Sequence, residues 1–344
     1  HEGETPLLRL VEQLRGDGDL TKVPNLIYKK DGEVKVNRPF AKEELNALPT
    51  PDFDGLPLDF YLSPERVLPV MGSRGCYWEQ CAFCSIPFDH MTFHVRYAEN
   101  VVNDFKTLQE KYNCNNFFFT DEALPINFLR TFAAKIIEQK VDVQWTGELK
   151  FEKSLLKDDR MDLLYKSGCR KLIFGLESYN QRVLDSMKKG VELSWVDETA
   201  ERCMKLGIAM HFYLICGFPT ETREEVMDSI NFVLDNQRLL DSPGFSAILS
   251  QFDLERGAPI ENAPAEWGIS NLHTPPEHDL SLGYSYETSI GMNAEEINEL
   301  YQQLIEKLGR EVMTFPHNYS LSDGLLYLAH HERHSLTERL GTLA

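Results

Sequence analysis

The stretch Ser73-Arg-Gly-Cys-Tyr-Trp-Glu-Gln-Cys-Ala-Phe-Cys-Ser85 follows a short apolar run, residues 67–72, and precedes a helical pattern near residues 98–112. Short apolar runs and helical stretches alternate in this way down the chain, which indicates parallel strands joined by right-handed crossovers. A loop that leaves the carboxyl end of such a strand lies at the edge where α/β barrels carry their active sites. The stretch therefore marks both the start of the fold and a candidate site.

Six strand-helix units make up the central part of the chain. The apolar runs are residues 67–72, 115–120, 141–149, 170–177, 208–216 and 245–252, and the helical stretches lie near residues 98–112, 126–139, 155–167, 194–206 and 222–236. Strands that alternate with helices of this length form a parallel sheet with the helices packed against it. We therefore predict the α/β class, with a partial (β/α)6 TIM-like barrel over residues 67–256.

An N-terminal linker segment and a C-terminal helical extension are predicted to flank this barrel. Residues 5–15 have the spacing of an amphipathic helix, and a hairpin is predicted at the turn Asp31-Gly32. A connector rich in Pro, Asp and Gly, residues 39–69, leads into the first strand. The tail, residues 257–344, is predicted to shape the substrate pocket, with helices near residues 294–312 and 322–340.

The composition excludes several classes of protein. The chain has 344 residues and a formal net charge of −19, so general electrostatic binding of nucleic acids is disfavoured. It contains no apolar run long enough to cross a bilayer and no signal peptide, so we expect no membrane association. Its 7 cysteines do not make a disulfide framework in a chain this large, which favours the reducing cytoplasm. Because the sequence starts at His1, we expect a piece of a longer protein.

The clustered cysteines are spaced C-x4-C-x2-C and are candidate metal ligands. One alternative is a structural zinc site, in which His90 or His94 completes a tetrahedron with the thiolates. The other is a four-iron four-sulfur (4Fe-4S) cluster held by Cys76, Cys81 and Cys84, with one iron left open to another ligand. The spacing by itself leaves both alternatives open.

The same stretch resembles the cluster loop of the radical S-adenosylmethionine (SAM) superfamily, which usually carries C-x3-C-x2-C after the first barrel strand. This sequence has one residue more between the first two cysteines. The resemblance implies an enzyme in which Cys76, Cys81 and Cys84 bind the cluster and SAM chelates the open iron. Reductive cleavage of SAM would then give a 5′-deoxyadenosyl radical, with electrons from a reductant such as flavodoxin or ferredoxin.

The resemblance continues at later strand ends, where it implies contacts to SAM. Phe83 stands at the aromatic position beside the adenine, and Gly217 permits a close approach of the backbone to that base. The polar candidates are Asp121 or Glu122 for the amino group, Glu148 and Lys150 for SAM, and Glu177 or Ser178 for the ribose. From the residues alone, Asp121 and Glu122 serve equally well as a helix N-cap, and Glu148 and Lys150 as a structural ion pair. We assign no catalytic residue.

The N-terminal segment resembles the end of a cobalamin-binding domain and its linker, as in the cobalamin-dependent branch of the superfamily. The residues that carry this likeness are His1-Glu-Gly-Glu-Thr-Pro6 and the connector around Leu48-Pro-Thr-Pro-Asp-Phe53. We therefore assign residues 1–66 to such a tail and linker. The Asp-x-His-x-x-Gly signature of the cobalamin domain itself is absent from the chain.

The branch implies a reaction as well as a cofactor. We expect radical C-methylation of a small-molecule or peptide substrate, with cobalamin supplied by a domain missing from this chain. The alternative within the superfamily is another outcome of hydrogen abstraction, such as epimerisation, cyclisation or rearrangement. The alternative outside it is a non-catalytic zinc-binding module on an α/β scaffold.

Overall fold

The fold is given by a computed structural model that describes residues 2–38, 42–61, 65–86, 92–240, 244–274 and 281–308. The strands are β1 (Ile27–Lys30), β2 (Glu33–Val36), β3 (Val67–Val70), β4 (Ser73–Arg74), β5 (His94–Val95), β6 (Asn116–Phe119), β7 (Gln144–Leu149), β8 (Cys169–Glu177), β9 (Ala209–Cys216), β10 (Ser246–Gln251), β11 (Ile269–His273) and β12 (Ser285–Thr288). The helices are α1 (Glu4–Arg15), α2 (Ala98–Tyr112), α3 (Ile126–Glu138), α4 (Arg160–Lys166), α5 (Gln181–Ser186), α6 (Leu193–Leu206), α7 (Arg223–Leu234), α8 (Gln237–Leu240) and α9 (Ala294–Leu308).

A six-stranded parallel sheet forms the centre of the fold, in the order β3-β6-β7-β8-β9-β10. Each strand lies beside its neighbour in chain order, as expected for successive crossovers of one hand. Among the described residues the two edge strands do not pair with each other, so the sheet stays open. The predicted partial (β/α)6 barrel is therefore confirmed, with all six apolar runs forming strands.

The helices pack on the outer face of the sheet through an aromatic core. Phe119 of β6 is fully buried and its ring contacts four others: Phe105 of α2, Phe128 and Phe132 of α3, and Trp145 of β7. Alternate residues of each strand point to this core, while the intervening ones point to the lumen of the barrel. This alternation decides which side chains can reach the candidate site.

Two helices differ from the prediction. The helix expected over residues 155–167 begins only at Arg160, because residues 153–158 form turns that end with Asp158 in the left-handed region at a φ of 55°. The short helix α5 was not predicted. It begins after Asn180, whose side chain accepts a hydrogen bond from the N–H of Val183 as an N-cap.

The predicted N-terminal helix and hairpin are both present as α1 and the β1-β2 pair. Asp31 and Gly32 both have positive φ, as a tight hairpin turn requires. The apolar stripe of α1 does not enter the core, because Leu7, Leu8 and Leu14 remain 56–67% exposed. The N-terminal segment thus carries apolar surface that the described residues leave uncovered.

The segment after the barrel is only partly helical. Residues 259–267 form two short 3-10 turns that each start at a proline, and β11 pairs with β12 as an antiparallel hairpin. The predicted helix near residues 294–312 is present as α9, whose Ile297, Leu300 and Leu304 are buried. The predicted helix near residues 322–340 lies outside the described residues. Within the described part, no helix combines the length and the hydropathy needed to cross a membrane.

We expect Phe119→Ala to lower the free energy of unfolding by about 3–5 kcal/mol, because it leaves a cavity among four aromatic rings. Urea unfolding followed by circular dichroism measures the change. Leu14→Ala, on the exposed stripe of α1, is the control and should stay within about 0.5 kcal/mol of the wild type. Equal losses in the two variants would contradict the assignment of the core.

Candidate functional site

The cysteine loop leaves the carboxyl end of β3 and is anchored at its start by Asp121. The carboxylate of Asp121 follows β6 and accepts hydrogen bonds from the N–H of Gly72 at 2.9 Å, the hydroxyl of Ser73 at 2.6 Å and the N–H of Ser73. Burial raises the pKa of Asp121 to about 6, although these hydrogen bonds act to lower it. Both oxygens of this predicted SAM ligand are thus engaged with the loop itself.

The rest of the loop is held by segments that follow other strands. The N–H of Ala82 donates to the carbonyl of Met187 at 2.8 Å, and the carbonyl of Ala82 accepts from Ile260 at 2.9 Å. Ala82 belongs to a second apolar cluster with Met187, Phe218 and Ile260, and Phe83 packs against it. The loop therefore rests on a small core of its own at the carboxyl edge of the sheet.

The sulfur atoms of Cys76, Cys81 and Cys84 are half-buried and close enough to influence one another electrostatically. Burial raises the pKa of Cys81 to about 11 and also raises the pKa of Cys84. Among the described residues, no three His, Cys, Asp or Glu side chains converge tightly enough to hold a single metal ion. In an iron-sulfur cluster each thiolate would bind a different iron, so the three cysteines need to share one loop but not one metal ion.

This arrangement does not support zinc with His94. The Nε2 atom of His94 lies 2.8 Å from the Glu2 carboxylate, which also forms an ion pair with Arg74. His94 is thus engaged at the side of the loop and not with the cysteines. The other candidate, His90, lies outside the described residues.

A buried ion pair between Glu177 and Lys189 stands next to the cysteines. The Nζ of Lys189 lies 2.6 Å from the Glu177 carboxylate and 5.7 Å from the centre of the Phe83 ring. Burial opposes the charge of Lys189, but Glu177 and the nearby thiols hold the pKa of its ammonium above the usual value. Gly175 makes room for the pair, since a Cβ there would lie 2.4 Å from the Glu177 carboxylate. Sequence reasoning missed Lys189.

Glu148 projects from the inner face of β7 into the barrel lumen, as its alternation with buried residues predicts. Its carboxylate accepts a hydrogen bond from the hydroxyl of Tyr213 at 3.3 Å, which reaches across β8 from β9. Burial, together with repulsion from Glu122 and Glu177, raises the pKa of Glu148 to about 7. The carboxylate of Glu177 also raises the pKa of Cys81, and that of Glu122 raises the pKa of Cys84. Glu122, Glu148 and Glu177 therefore border one space beside the cysteines, which we call the acidic space.

Besides Asp121, three of the predicted SAM contacts do not face the site freely. The hydroxyl of Ser178 is fully buried and lies 3.3 Å from that of Ser229 in α7, outside the lumen. The ammonium of Lys150 donates to the carbonyl of Gly190 at 2.7 Å, so the predicted pair of Lys150 with Glu148 is not observed. A Cβ on Gly217 would meet Ile297 of α9 at 2.6 Å, so the space beside Gly217 is filled by α9. The structure brings together Phe83, Glu122, Glu148 and Glu177 with the three cysteines.

Comparison with known proteins shows which family and which relatives this chain resembles. A model of the radical SAM superfamily matches residues 70–233. An uncharacterised methyltransferase of Pyrococcus horikoshii is 30% identical over 67% of this chain and 51% of its own length. A bacteriochlorophyllide d C-12(1)-methyltransferase of Chlorobaculum tepidum is 25% identical over 53% of this chain and 40% of its own length. The chain thus spans about half the length, or less, of these curated relatives.

A solved structure is similar over most of the chain. The radical SAM methyltransferase TsrM from Kitasatospora setae, with cobalamin and a [4Fe-4S] cluster bound, superposes with a TM-score of 0.68 at 16% identity. The match covers 94% of this chain and 71% of TsrM. At this identity the likeness concerns the fold, and it agrees with the open parallel barrel described above.

We expect Glu148→Gln to change how stability depends on pH. In the unfolded chain Glu148 ionises near its ordinary pKa of 4.5, whereas in the folded protein its pKa is about 7. Raising the pH through this window therefore favours the unfolded chain, and glutamine removes the effect. The variant should gain about 1–3 kcal/mol relative to the wild type as the pH rises through this window.

Urea unfolding at a series of pH values measures this gain. Glu138→Gln, at an exposed position of α3, is the matched control and should run parallel to the wild type. A Glu148→Gln difference that does not change with pH would contradict the burial of this carboxyl group.

Proposed function

We propose that this chain, whose residues 70–233 match a model of the radical SAM superfamily, is an enzyme in which Cys76, Cys81 and Cys84 hold a 4Fe-4S cluster that binds SAM. The main observation in support of this proposal is the set of sulfur ligands that the loop offers. Three thiols lie on one loop at the carboxyl edge of the sheet, near enough to affect one another electrostatically, and the imidazole of His94 is engaged with Glu2 and not with them. A cluster on such a set keeps one iron open for the substrate.

Held by Cys76, Cys81 and Cys84, the cluster would supply one electron, taken from an external reductant, for cleavage of SAM into methionine and the 5′-deoxyadenosyl radical. The protein's own residues would hold the cysteine loop in place and set the charge around it. Asp121 and Ala82 hold the loop by backbone hydrogen bonds, which keeps the thiolates in place without contributing ligands. The buried ammonium of Lys189 offsets negative charge on the thiolates, because it lies in a medium that screens charge poorly.

The acidic space beside the cysteines supports binding of a cationic ligand. SAM carries an ammonium and a sulfonium, and the carboxylates of Glu122, Glu148 and Glu177 border this space. Glu122 is exposed and, in the part of the loop that the structure describes, forms no hydrogen bond like that of Asp121, so we assign to it the contact with the SAM amino group. Glu177 is assigned to the ribose in preference to Ser178, and Phe83 to the adenine.

For the reaction itself we propose cobalamin-dependent C-methylation of a small-molecule or peptide substrate. Similarity to methyltransferases supports the reaction, and the cobalamin bound in the fold relative TsrM supports the cofactor. The uncovered apolar surface of α1 supports a further domain packed against this helix, which would hold the corrin. Electrons would come from a small reductant such as flavodoxin or ferredoxin.

Anaerobic reconstitution with iron and sulfide tests the first part of this proposal. The wild-type protein should become brown, bind about four irons per chain and cleave SAM to 5′-deoxyadenosine in the presence of dithionite. Cys81→Ala should lose both properties, because it removes one of three ligands. Cys114→Ala, at a buried cysteine that bonds the Arg66 carbonyl, is the control and should keep both. A colourless wild-type protein with one zinc would overturn the proposal.

The cofactor proposal has a separate test in the complete gene product. That protein should copurify with cobalamin, detected by its absorbance, and Cys81→Ala should leave the cobalamin content unchanged while SAM cleavage is lost. A complete protein that cleaves SAM but binds no cobalamin would contradict methylation. It would favour the alternative hydrogen-abstraction reactions instead.

A further inference from the structure

The segment between Cys76 and Cys81 contains one residue more than the usual loop of the family, and its backbone shows where the extra length goes. Glu79 adopts a left-handed conformation with a φ of 51°, and its side chain is exposed. A residue other than glycine rarely takes this conformation unless its surroundings impose it. Contacts of the residues next to Glu79 must therefore hold the chain in this turn.

The neighbouring residue, Trp78, is fixed to a segment that follows α5. Its indole Nε1 donates a hydrogen bond to the carbonyl of Lys188 at 2.9 Å. Its ring lies against Gly190, where a Cβ would come within 2.2 Å of the indole. Gly190 has a φ of 60°, so the segment turns at this point and leaves a gap that the ring fills.

Lys150 closes the other side of the ring. Its Nζ lies 4.1 Å from the centre of the Trp78 ring, in the geometry of a cation–π contact, and donates to the carbonyl of Gly190. The ammonium thus binds the indole and the turn together. Next to Trp78, the hydroxyl of Tyr77 donates to the Glu152 carboxylate at 2.5 Å. Both aromatic residues of the longer segment are therefore held, by residues just after β7 and by the segment that follows α5.

We propose that Trp78 is a positioning residue, whose contacts with Lys150, Lys188 and Gly190 hold the extended Cys76–Cys81 segment so that both thiolates stay in register for one cluster. The proposal rests on the cluster-binding function proposed above. In this proposal the extra residue forms the left-handed turn at Glu79. That turn brings the chain back from Trp78, whose indole is anchored, to Cys81. Trp78 itself contributes no ligand.

Anaerobic reconstitution of Trp78 variants tests this role without reference to turnover. Trp78→Ala should bind less than half as much iron and sulfide per chain as the wild type. The electron paramagnetic resonance (EPR) spectrum of its reduced cluster should be broadened or shifted. Trp78→Phe keeps the ring stacked on Lys150 and loses only the N–H donor, so it should recover much of the iron content while its EPR spectrum stays shifted from that of the wild type. Trp195→Ala, at a half-buried tryptophan of α6, is the matched control.

A second pair of variants separates the turn from the side chain of Glu79. Glu79→Gly suits the left-handed conformation and should keep the wild-type iron content and EPR spectrum. Glu79→Val, whose branched side chain disfavours that conformation, should lose at least twofold in iron content. Equal losses in the glycine and valine variants would contradict the turn.

The outcomes distinguish this proposal from the one on which it rests. A wild-type protein that takes up no cluster overturns the proposed function and this role with it. A wild-type protein that takes up the cluster, together with Trp78 variants of unchanged iron content and EPR spectrum, overturns only the positioning role. If Trp78→Ala does not fold, Trp78→Phe decides, because a change in its EPR spectrum with unchanged circular dichroism supports the role and an unchanged spectrum overturns it.

Discussion

The carboxylate of Asp121 bonds the backbone of Gly72 and Ser73, and through these bonds the end of β6 determines where the cysteine loop begins. Hydrogen bonds to a charged acceptor contribute about 1.5–3 kcal/mol, and both of these bonds are buried. The neighbouring ion pair of Arg96 with Asp104, at 2.6 Å, fixes the loop from the α2 side, since Arg96 also donates to the carbonyl of Met71. The direction of the loop is thus set before its first cysteine.

The charge around the loop has a consistent arrangement. Carboxylates of Glu122, Glu148 and Glu177 border the space beside the cysteines, and the ammonium of Lys189 lies buried between Glu177 and Phe83. A site of this kind repels anions and favours a ligand that brings positive charge with it. The strained φ of 64° at Glu177 and the missing side chain at Gly175 indicate that the fold accepts a local cost to keep the ion pair there.

Periodicity was sufficient to predict the barrel, because each buried strand is a short apolar run and each outer helix has an apolar stripe of its own. The cysteines could also be predicted as candidate ligands, because their spacing is local in the sequence. The roles of single polar residues could not be predicted in this way. Asp121 and Glu122 are adjacent in sequence and both are carboxylates. Asp121 is nevertheless buried and bonds the loop, whereas Glu122 is exposed at the surface. Lys189 gains its role from Glu177 and Phe83, which lie on other elements, and Trp78 from Lys188, far along the chain, and no local pattern encodes these contacts.

The anchoring of the loop by distant segments has a consequence for how the protein matures. Trp78 bonds Lys188, 110 residues further on, and Ser85 bonds Glu255, 170 residues further on. During synthesis the cysteines leave the ribosome long before these partners exist, so the three thiols are exposed on an unfinished loop. Iron and sulfide delivered at that stage would meet no defined site. The cluster proposed above would therefore be inserted only after the barrel is nearly complete, and not into a nascent peptide.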